Sequence, residues 1–575
     1  MKTNSLLAFG PVAGDIWSDG DDQLFAAVTA ATLDWSPDQV WPGLGPADFA
    51  SAASGTIKVG NQGALAMQAN VATSLYGVTG AGIKIGILSD SFNVKGAMAA
   101  DIAAGVLPAN IDILEEGPST GTDEGRAMAE LIHQVAPGAS IDFYSADYSE
   151  ADFGAGIEAL AAAGCNVIVD DVVYFDEPMF QLGSVVDNAI DTVTSEGDSY
   201  FTAAGNEGEV YYQGTFSKET TKLPGLTGNY VVDNFGTAGS PMPYETLNIP
   251  HLDQIDIDLQ WNQPFQSIGT GHASVNSLAM VLYNSAGKIV AKAAVNDVGK
   301  DPVQVLAFAN TSTSTTYRLA IVDNGGTVLP GTFKFVVMSG GTTITGPASQ
   351  VAAGSVFGHA LDPNANSVGA IAAANAPTLG GSGAVETFSS SGPGQLLFDS
   401  SGNKLASPLS VGKVNFVAPD GIQTDVFNPF YGTSAAAPDA AGVAALMLQA
   451  QPGLSPTQVT SLLTASTIAV TGGAGQTGAG LVQAPAAVAG ALATTPAASV
   501  VAVAALTPLA SALNDVLNMP AHASFAVLGS GDGGSGFSLQ FDPAYLDLPA
   551  GSATTASADS MQPVIVPFTL PSNFG

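Results

Sequence analysis

The middle of the chain alternates between short apolar runs and longer segments with helical periodicity. Apolar runs cover residues 83–90, 140–146, 166–173 and 199–208, and helical patterns cover 64–82, 122–135, 150–164 and 180–197. Apolar strands that are separated by helices of ten or more residues are typical of a parallel sheet covered on both faces. The pattern therefore predicts an α/β domain that begins near residue 61.

The pattern changes to period-two alternation near residue 210. Segments such as "QIDIDLQWN", "PVQVLAFANTS" and "GTFKFVVMSGG" read as strands joined by Gly and Asn turns, with no helix between them. The first pattern then resumes, and it ends in a long Ala-rich helix at 434–450. We therefore predict an antiparallel β-sandwich inserted into the α/β domain. The predicted boundaries are an N-terminal arm or pro-like segment (1–60), the α/β domain (61–208 and 346–493), the insertion (209–345) and an Ala/Gly/Pro-rich tail (494–575).

The net charge of the chain excludes some classes of binding partner. The 50 acidic and 14 basic residues give a formal charge of −36, which repels nucleic acids and anionic membranes. The chain contains no stretch of about 18 apolar residues without Gly or Pro breakers, so no transmembrane helix is predicted. The lone Cys165 cannot form an intrachain disulfide, and its small-residue surroundings predict a buried core position. We expect an extracellular or cell-envelope protein of bacterial type, with the cytoplasm as the alternative because the N-terminus is a poor secretory signal.

The strongest chemical signal is the segment "YGTSAAAPDAAGVAALML" at 431–448. Ser434 follows a Gly-Thr turn and opens a helix, where unpaired N–H groups and the positive end of the helix dipole can stabilise an oxyanion. Gly432 lets a substrate backbone approach closely. The alternative is that Thr433 or Ser434 merely caps the helix.

This segment resembles the nucleophile turn of the subtilisin-like serine peptidases, which match at Gly432, Thr433, Ser434 and Pro438. Three further stretches resemble the same family, namely "AAGNEG" (203–208), "FSSSGPG" (388–394) and "VNFVAPDG" (414–421). The resemblance covers about 61–208 and 344–493. It implies the subtilisin α/β sheet and hydrolysis of a polypeptide substrate.

The resemblance also implies roles for individual residues. It makes Asn206 the side-chain donor to the oxyanion, with Gly205 beside the substrate. The strand "IKIGILSDSFN" (83–93) resembles the one that ends at the family's catalytic aspartate, which implies Asp90. Phe92 departs from the glycine that usually follows.

The family's catalytic histidine is missing. It normally begins a His-Gly-Thr-His-Val-Ala-Gly helix, but the aligned segment here is "EGRAMAE", which places Glu124 at the histidine position and keeps Gly125. His133 lies nine residues downstream, about half a turn away and ~13 Å along the helix axis, so it cannot substitute. The remaining histidines are expected to be structural or solvated: His251, His272, His359 and His522.

Glu124 is therefore the candidate base. The related sedolisins use Ser-Glu-Asp with the Glu and Asp four residues apart on one helix, but here Met128 occupies that position. The strand end "NVIVDD" (166–171) offers a partner instead. We predict that Asp171, together with Asp170, forms a carboxyl pair with Glu124 that raises one pKa above its reference of about 4.3. The alternative is that the two aspartates form a turn and cap the strand.

Two functions of different class follow. In the first, Ser434 attacks a peptide carbonyl, Glu124 accepts its proton, Asp90 orients or shares a proton with Glu124, and Asn206 binds the oxyanion. Such an endopeptidase would have an acid-shifted optimum. In the second, a catalytically inactive protein with the same cleft binds peptide or polysaccharide.

The expected substrate contacts and cofactors complete the prediction. Gly432, Thr433, Gly205 and Asp170 are expected to contact the substrate. No cofactor is required and no metal ligands are assigned. Structural calcium is common in the family, but no Asp-rich loop identifies its ligands. A monomer is expected.

Overall fold

The computed structural model describes residues 61–347 and 353–494, and the main chain of two strands at 525–529 and 537–541. The predicted N-terminal arm and most of the predicted tail lie outside the described residues. Residues 1–494 and 495–575 form separate units. No described helix is both long enough and apolar enough to cross a bilayer.

The helices and strands follow the predicted alternation, with some differences at their ends. The helices are α1 (Gln62–Ala66), α2 (Ala69–Tyr76), α3 (Met98–Ala104), α4 (Glu124–Val135), α5 (Glu150–Ala162), α6 (Val185–Glu196), α7 (Thr433–Ala450), α8 (Pro456–Ala465) and α9 (Ala484–Ala493). The strands of the first part are β1 (Lys84–Ser89), β2 (Ile111–Glu115), β3 (Ser140–Ser145), β4 (Val167–Asp170) and β5 (Ser199–Ala203).

The remaining strands belong to the insertion, the second part and the tail. The insertion contains β6 (Tyr211–Thr215), β7 (Lys218–Thr221), β8 (Tyr230–Asp233), β9 (Glu245–Asn248), β10 (Gln254–Trp261), β11 (Asn276–Asn284), β12 (Ile289–Ala293), β13 (Val303–Ala309), β14 (Thr316–Gly326), β15 (Thr332–Ser339) and β16 (Thr343–Ile344). The later strands are β17 (Ala365–Ala372), β18 (Gly394–Phe398), β19 (Lys404–Val411), β20 (Phe416–Asp420), β21 (Phe525–Gly529) and β22 (Phe537–Phe541). In the tail, β21 and β22 pair antiparallel on either side of the predicted glycine cluster.

The central sheet has seven strands in the order β2-β3-β1-β4-β5-β17-β20, and every pairing in it is parallel. Apolar side chains of α1, α2, α4, α7, α8 and α9 form one core with the sheet, while those of α5 and α6 form another. The predicted parallel sheet with helices on both faces is confirmed. Because its strands are buried on both faces, they read as continuous apolar runs in the sequence.

The insertion consists of two antiparallel sheets that share an apolar core. One sheet has the order β13-β10-β15-β6, and the other has the path β12-β11-β14-β8-β7 with β9 and β16 beside it. Trp261, Phe333 and Phe335 from the first sheet meet Leu278 and Ile321 from the second. This arrangement agrees with the predicted inserted β-sandwich.

Candidate active site

The predicted site residues converge at the carboxyl edge of the parallel sheet. Asp90 directly follows β1, Asp171 directly follows β4, and Asn206 lies shortly after β5. Glu124 is the first residue of α4, and Ser434 is the second residue of α7. Ligand sites of open α/β sheets form at this edge, where loops from several strands meet.

The turn before Ser434 needs glycine at position 432. Gly432 has φ +107°, a conformation that residues with a Cβ rarely adopt. Its N–H donates to Asp420 Oδ2 at 3.0 Å, which ties the turn to the end of β20. Ser434 is 2% exposed, so the hydroxyl is almost withdrawn from bulk water.

Asn206 is oriented by the residue before Ser434. Its Oδ1 accepts hydrogen bonds from the Thr433 N–H at 2.9 Å and from Thr433 Oγ1 at 3.0 Å. Thr433 Oγ1 also accepts from the N–H of Gly205 at 3.2 Å. These bonds fix the amide orientation and leave Nδ2 as the donor. Thr433 is fully buried and positions Asn206, and its predicted contact with substrate stays a prediction.

The side chain of Glu124 interacts with the side chains of Ser434 and Asp171, and both interactions favour its ionised form. Burial raises the pKa of Glu124, and the negative charge of Asp90 adds to this increase. Burial and the neighbouring Glu124 carboxyl raise the pKa of Asp171 well above its usual range. Two adjacent carboxyls cannot both ionise easily, so the pair retains one proton.

Asp90 contacts the main chain of Glu124. Its Oδ1 accepts from the Glu124 N–H at 3.0 Å and from Ser91 Oγ at 3.1 Å. Its Oδ2 accepts from the N–H and the Oγ1 of Thr122, both at 2.6 Å. A carboxylate at this position complements the positive end of α4. Asp90 therefore fixes where Glu124 begins the helix, while the side chain of Glu124 pairs with Asp171.

Asp170 does not join this pair, contrary to the prediction. Successive side chains of a strand point to opposite faces, so Asp170 and Asp171 diverge. Asp170 Oδ1 accepts from Thr202 Oγ1 at 2.9 Å and lies 3.2 Å from His359 Nε2. Asp170 is fully buried, and its predicted contact with substrate stays a prediction.

Asp170, Glu177 and His359 form a second buried polar cluster, which the sequence did not predict. His359 Nδ1 lies 2.6 Å from Glu177 Oε2, which also accepts the His359 main-chain N–H at 2.7 Å. Burial alone would lower the pKa of His359, but the carboxylates of Glu177 and Asp170 raise it well above its usual value. The two carboxylates therefore favour the charged form of the buried His359, whose structural role stays a prediction.

One departure from the family pattern, Phe92, and one retained residue, Gly125, both have packing reasons at Phe143. Phe92 is fully buried, and its ring packs against Phe143 with centroids 5.2 Å apart. A Cβ at Gly125 would lie 2.4 Å from the same Phe143 ring, which explains why this glycine is kept. The aromatic pair thus occupies the space between β1, β3 and the start of α4.

The other histidines lie away from these residues or outside the described residues. His133 sits on α4 nine residues after Glu124, and burial lowers its pKa. His251 Nδ1 contacts the carbonyl of Ser312 in the insertion at 2.9 Å. His522 lies outside the described residues.

A small cavity opens beside the site. Asp171 and Gly205 line it together with Val172, Val173 and Phe357, and its volume is about 10 Å³. Within 61–347 and 353–494, no group of three His, Cys, Asp or Glu side chains is placed to hold a metal ion.

The model of the subtilase family matches residues 96–484. The chain belongs to the subtilase family. The match spans both parts of the α/β domain and the insertion between them, so it includes Glu124, Asn206 and Ser434. Membership of this family supports a serine-protease type of function.

Several solved proteases resemble the subtilase chain. The CspB protease of Clostridium perfringens is 15% identical with a TM-score of 0.45, covering 74% of this chain and 97% of that one. A protease of Pseudoalteromonas arctica is 14% identical with a TM-score of 0.34, covering 74% and 94%. MycP1 from Mycobacterium smegmatis is 14% identical with a TM-score of 0.35, covering 76% and 86%. No curated protein matches the chain.

Proposed function

We propose that this subtilase is a serine endopeptidase in which the Glu124 carboxylate takes the place of the histidine base. The observation that carries the proposal is the interaction of the Glu124 side chain with Ser434 and with Asp171, which favours the ionised form of Glu124. A general base must lie within hydrogen-bonding reach of the proton it abstracts. The interaction with Ser434 supports this role for Glu124 at the hydroxyl that the family's motif assigns as the nucleophile.

The reaction follows the acyl-transfer scheme of serine peptidases. Ser434 Oγ attacks the scissile carbonyl while Glu124 takes the hydroxyl proton. Asn206 Nδ2 and the Ser434 N–H donate to the oxyanion of the tetrahedral intermediate. Glu124 then returns the proton to the leaving amine, and a water that Glu124 deprotonates hydrolyses the acyl-enzyme.

Asp171 allows a carboxylate to act as the general base in this buried site. As the protonated partner it donates to Glu124, so the pair carries one negative charge and not two. When Glu124 takes the serine proton, the pair becomes neutral and the oxyanion carries the charge. Asp90 completes the arrangement by holding the Glu124 main chain.

The pH range follows from the direction of the two pKa shifts. Glu124 must be ionised to act as base, so activity rises with pH through its raised pKa. Activity falls again when Asp171 loses its proton, since Glu124 then faces a second negative charge. The reference pKa of a carboxyl lies below that of an imidazole, which favours an acid-shifted optimum.

The test is hydrolysis of an unfolded protein substrate from pH 3 to 8, with Ser434→Ala as the matched variant. Wild type is expected to produce internal fragments, with a maximum below pH 7, and Ser434→Ala is expected to produce none. Hydrolysis that survives in Ser434→Ala would refute the assignment. Tight peptide or polysaccharide binding without hydrolysis at every pH would favour the inactive binding protein.

A further inference from the structure

The small cavity lies where a substrate side chain would enter. Asp171 and Gly205 both line it, and Gly205 immediately precedes Asn206. A peptide carbonyl held between Ser434 and Asn206 Nδ2 therefore places the side chain just before the scissile bond at this cavity. The cavity is thus a candidate for selecting that residue.

The walls leave little room. Ala203, Ala204 and Gly205 line the cavity from the end of β5, Val172 and Val173 line it from the segment after β4, and Glu207 and His359 also border it. Phe357 is the largest apolar side chain in the lining, and it is only 4% exposed. The volume of about 10 Å³ corresponds to roughly one water molecule, which is also about the size of a methyl group.

The inserted β-sandwich holds Phe357 in place. Phe357 belongs to an apolar cluster with Met179, Phe180, Leu397, Phe398 and Val336, the last of which lies on β15 of the insertion. Lys334, two residues before Val336 on the same strand, donates from Nζ to the carbonyl of Val356 at 3.2 Å. The residue next to Phe357 is therefore tied to the insertion.

The insertion also anchors the segment behind the cavity. Gln260 of β10 is fully buried; its Oε1 accepts from the Met179 N–H at 2.7 Å, and its Nε2 donates to the carbonyls of Glu177 and Phe175 at 2.8 and 3.2 Å. Glu177 in turn holds His359, which lines the cavity. Leaving such buried groups unpaired is costly, so these contacts resist widening of the cavity.

We propose that the inserted β-sandwich narrows this cavity through Phe357, so that the enzyme cleaves after small residues such as Gly, Ala and Ser and rejects Leu and Phe. The inference rests on the proposed peptidase function and specifies its substrate class. It assigns the insertion a part in substrate specificity, with Phe357 as the residue that limits the size of the substrate side chain.

The test uses a series of peptides that differ only in the residue before the scissile bond, which is Gly, Ala, Ser, Leu or Phe. Wild type is expected to show a kcat/KM at least ~10-fold higher for Ala than for Leu. Phe357→Ala is expected to raise kcat/KM for Leu relative to Ala by at least ~10-fold. Phe308→Ala removes a ring of the insertion that packs on Tyr317 and belongs neither to this cluster nor to the cavity lining, so it should keep the wild-type ratio.

The outcomes separate the inference from the proposed function. Equal or better cleavage after Leu and Phe in wild type, or an unchanged ratio in Phe357→Ala, would overturn the inference and leave the peptidase intact. No Ser434-dependent cleavage of any peptide would overturn the proposed function itself. If Phe357→Ala does not fold, Phe357→Val supplies the same comparison, because it also removes the ring; an unchanged ratio there overturns the inference.

Discussion

At the scale of single residues, exchanging an imidazole for a carboxyl changes what the neighbours must supply. An imidazole base is neutral at rest, but a carboxylate base is charged and here must be stabilised in a buried site. In the proposed mechanism Asp171 supplies a proton to the pair, and Asp90 fixes the main chain of Glu124. The Glu124–Asp171 pair is thus the unit that titrates, and neither residue can be understood alone.

Asp171→Asn separates the donor role of Asp171 from its charge. The asparagine amide can still donate to Glu124 but can never ionise. Activity on the acid side should stay within about 10-fold of wild type, whereas the loss of activity at higher pH should move upward or vanish. Asp171→Ala, which has no donor, should lose more activity at every pH. The measurement is the pH dependence of kcat/KM for wild type and the two variants. An Asp171→Asn profile that superimposes on that of wild type would contradict the role of Asp171 as the partner that must stay protonated.

The sequence alone predicts much of this site because most of its residues lie in local motifs. Ser434, Asn206 and Asp90 stand in recognisable segments, and Glu124 follows from alignment of a single helix start. The Glu177–His359 contact could not be predicted, because the two residues are 182 positions apart and belong to no shared motif. Asp170 was misplaced because adjacency in sequence hides the alternation of a strand.

At the scale of elements, the start of α4 is fixed by contacts from β1. The Gly125 N–H donates to the carbonyl of Ser91 at 3.0 Å, and Ser91 Oγ accepts the N–H of Asp123 at 2.7 Å. Asp123 has φ +64° at the N-cap position. These contacts place the main chain of Glu124 at the sheet edge, and they do not involve the Glu124 side chain.

Gly125→Ala tests this close packing. The added Cβ would lie 2.4 Å from the Phe143 ring and 3.0 Å from the carbonyl oxygen of Ser91, so the helix start must shift. We expect the free energy of unfolding to fall by about 1–3 kcal/mol, measured by urea denaturation. Gly453→Ala, whose Cβ meets no atom within 4 Å, is the control and should change stability little. Equal stabilities for the two variants would contradict the packing argument.

The end of β4 shows where a local pattern misleads. The apolar run predicts a strand to residue 173, but β4 ends at Asp170. Val172 and Val173 lie beyond the end of the strand, where they line the cavity and pack against apolar clusters. Periodicity reports burial, and it cannot distinguish a strand from an extended segment beside a site.

At the scale of the whole molecule, the acidic composition extends into the interior. Burial raises the pKa values of many carboxyls, to about 8 for Glu130 and Glu150, about 7 for Asp233, Glu245, Asp297 and Asp362, and about 6 for Asp187 and Asp198. The folded state therefore binds more protons than the unfolded state between about pH 4 and 7. This interior suits an acidic medium.

The sign of the linkage predicts greater stability in acid. A carboxyl whose folded pKa is raised stabilises the fold below its unfolded pKa, and the contribution is lost as the pH rises through the folded value. Urea denaturation should give a free energy of unfolding at least ~2 kcal/mol higher at pH 4.5 than at pH 7. Above about pH 7 the lowered pKa values of Lys334 and Lys413 act in the opposite direction, so the comparison stops there. A stability that rises between pH 4.5 and 7 would contradict the prediction.

The most direct test of a carboxylate base is the rate at which Ser434 reacts with a fluorophosphonate in wild type and in Glu124→Gln, measured from pH 3 to 8. If Glu124 is the base, the wild-type rate rises with the ionisation of one carboxyl, while Glu124→Gln reacts at least ~100-fold more slowly and without that rise. Equal rates and equal pH dependence in the two proteins would show that the Glu124 carboxylate does not activate Ser434.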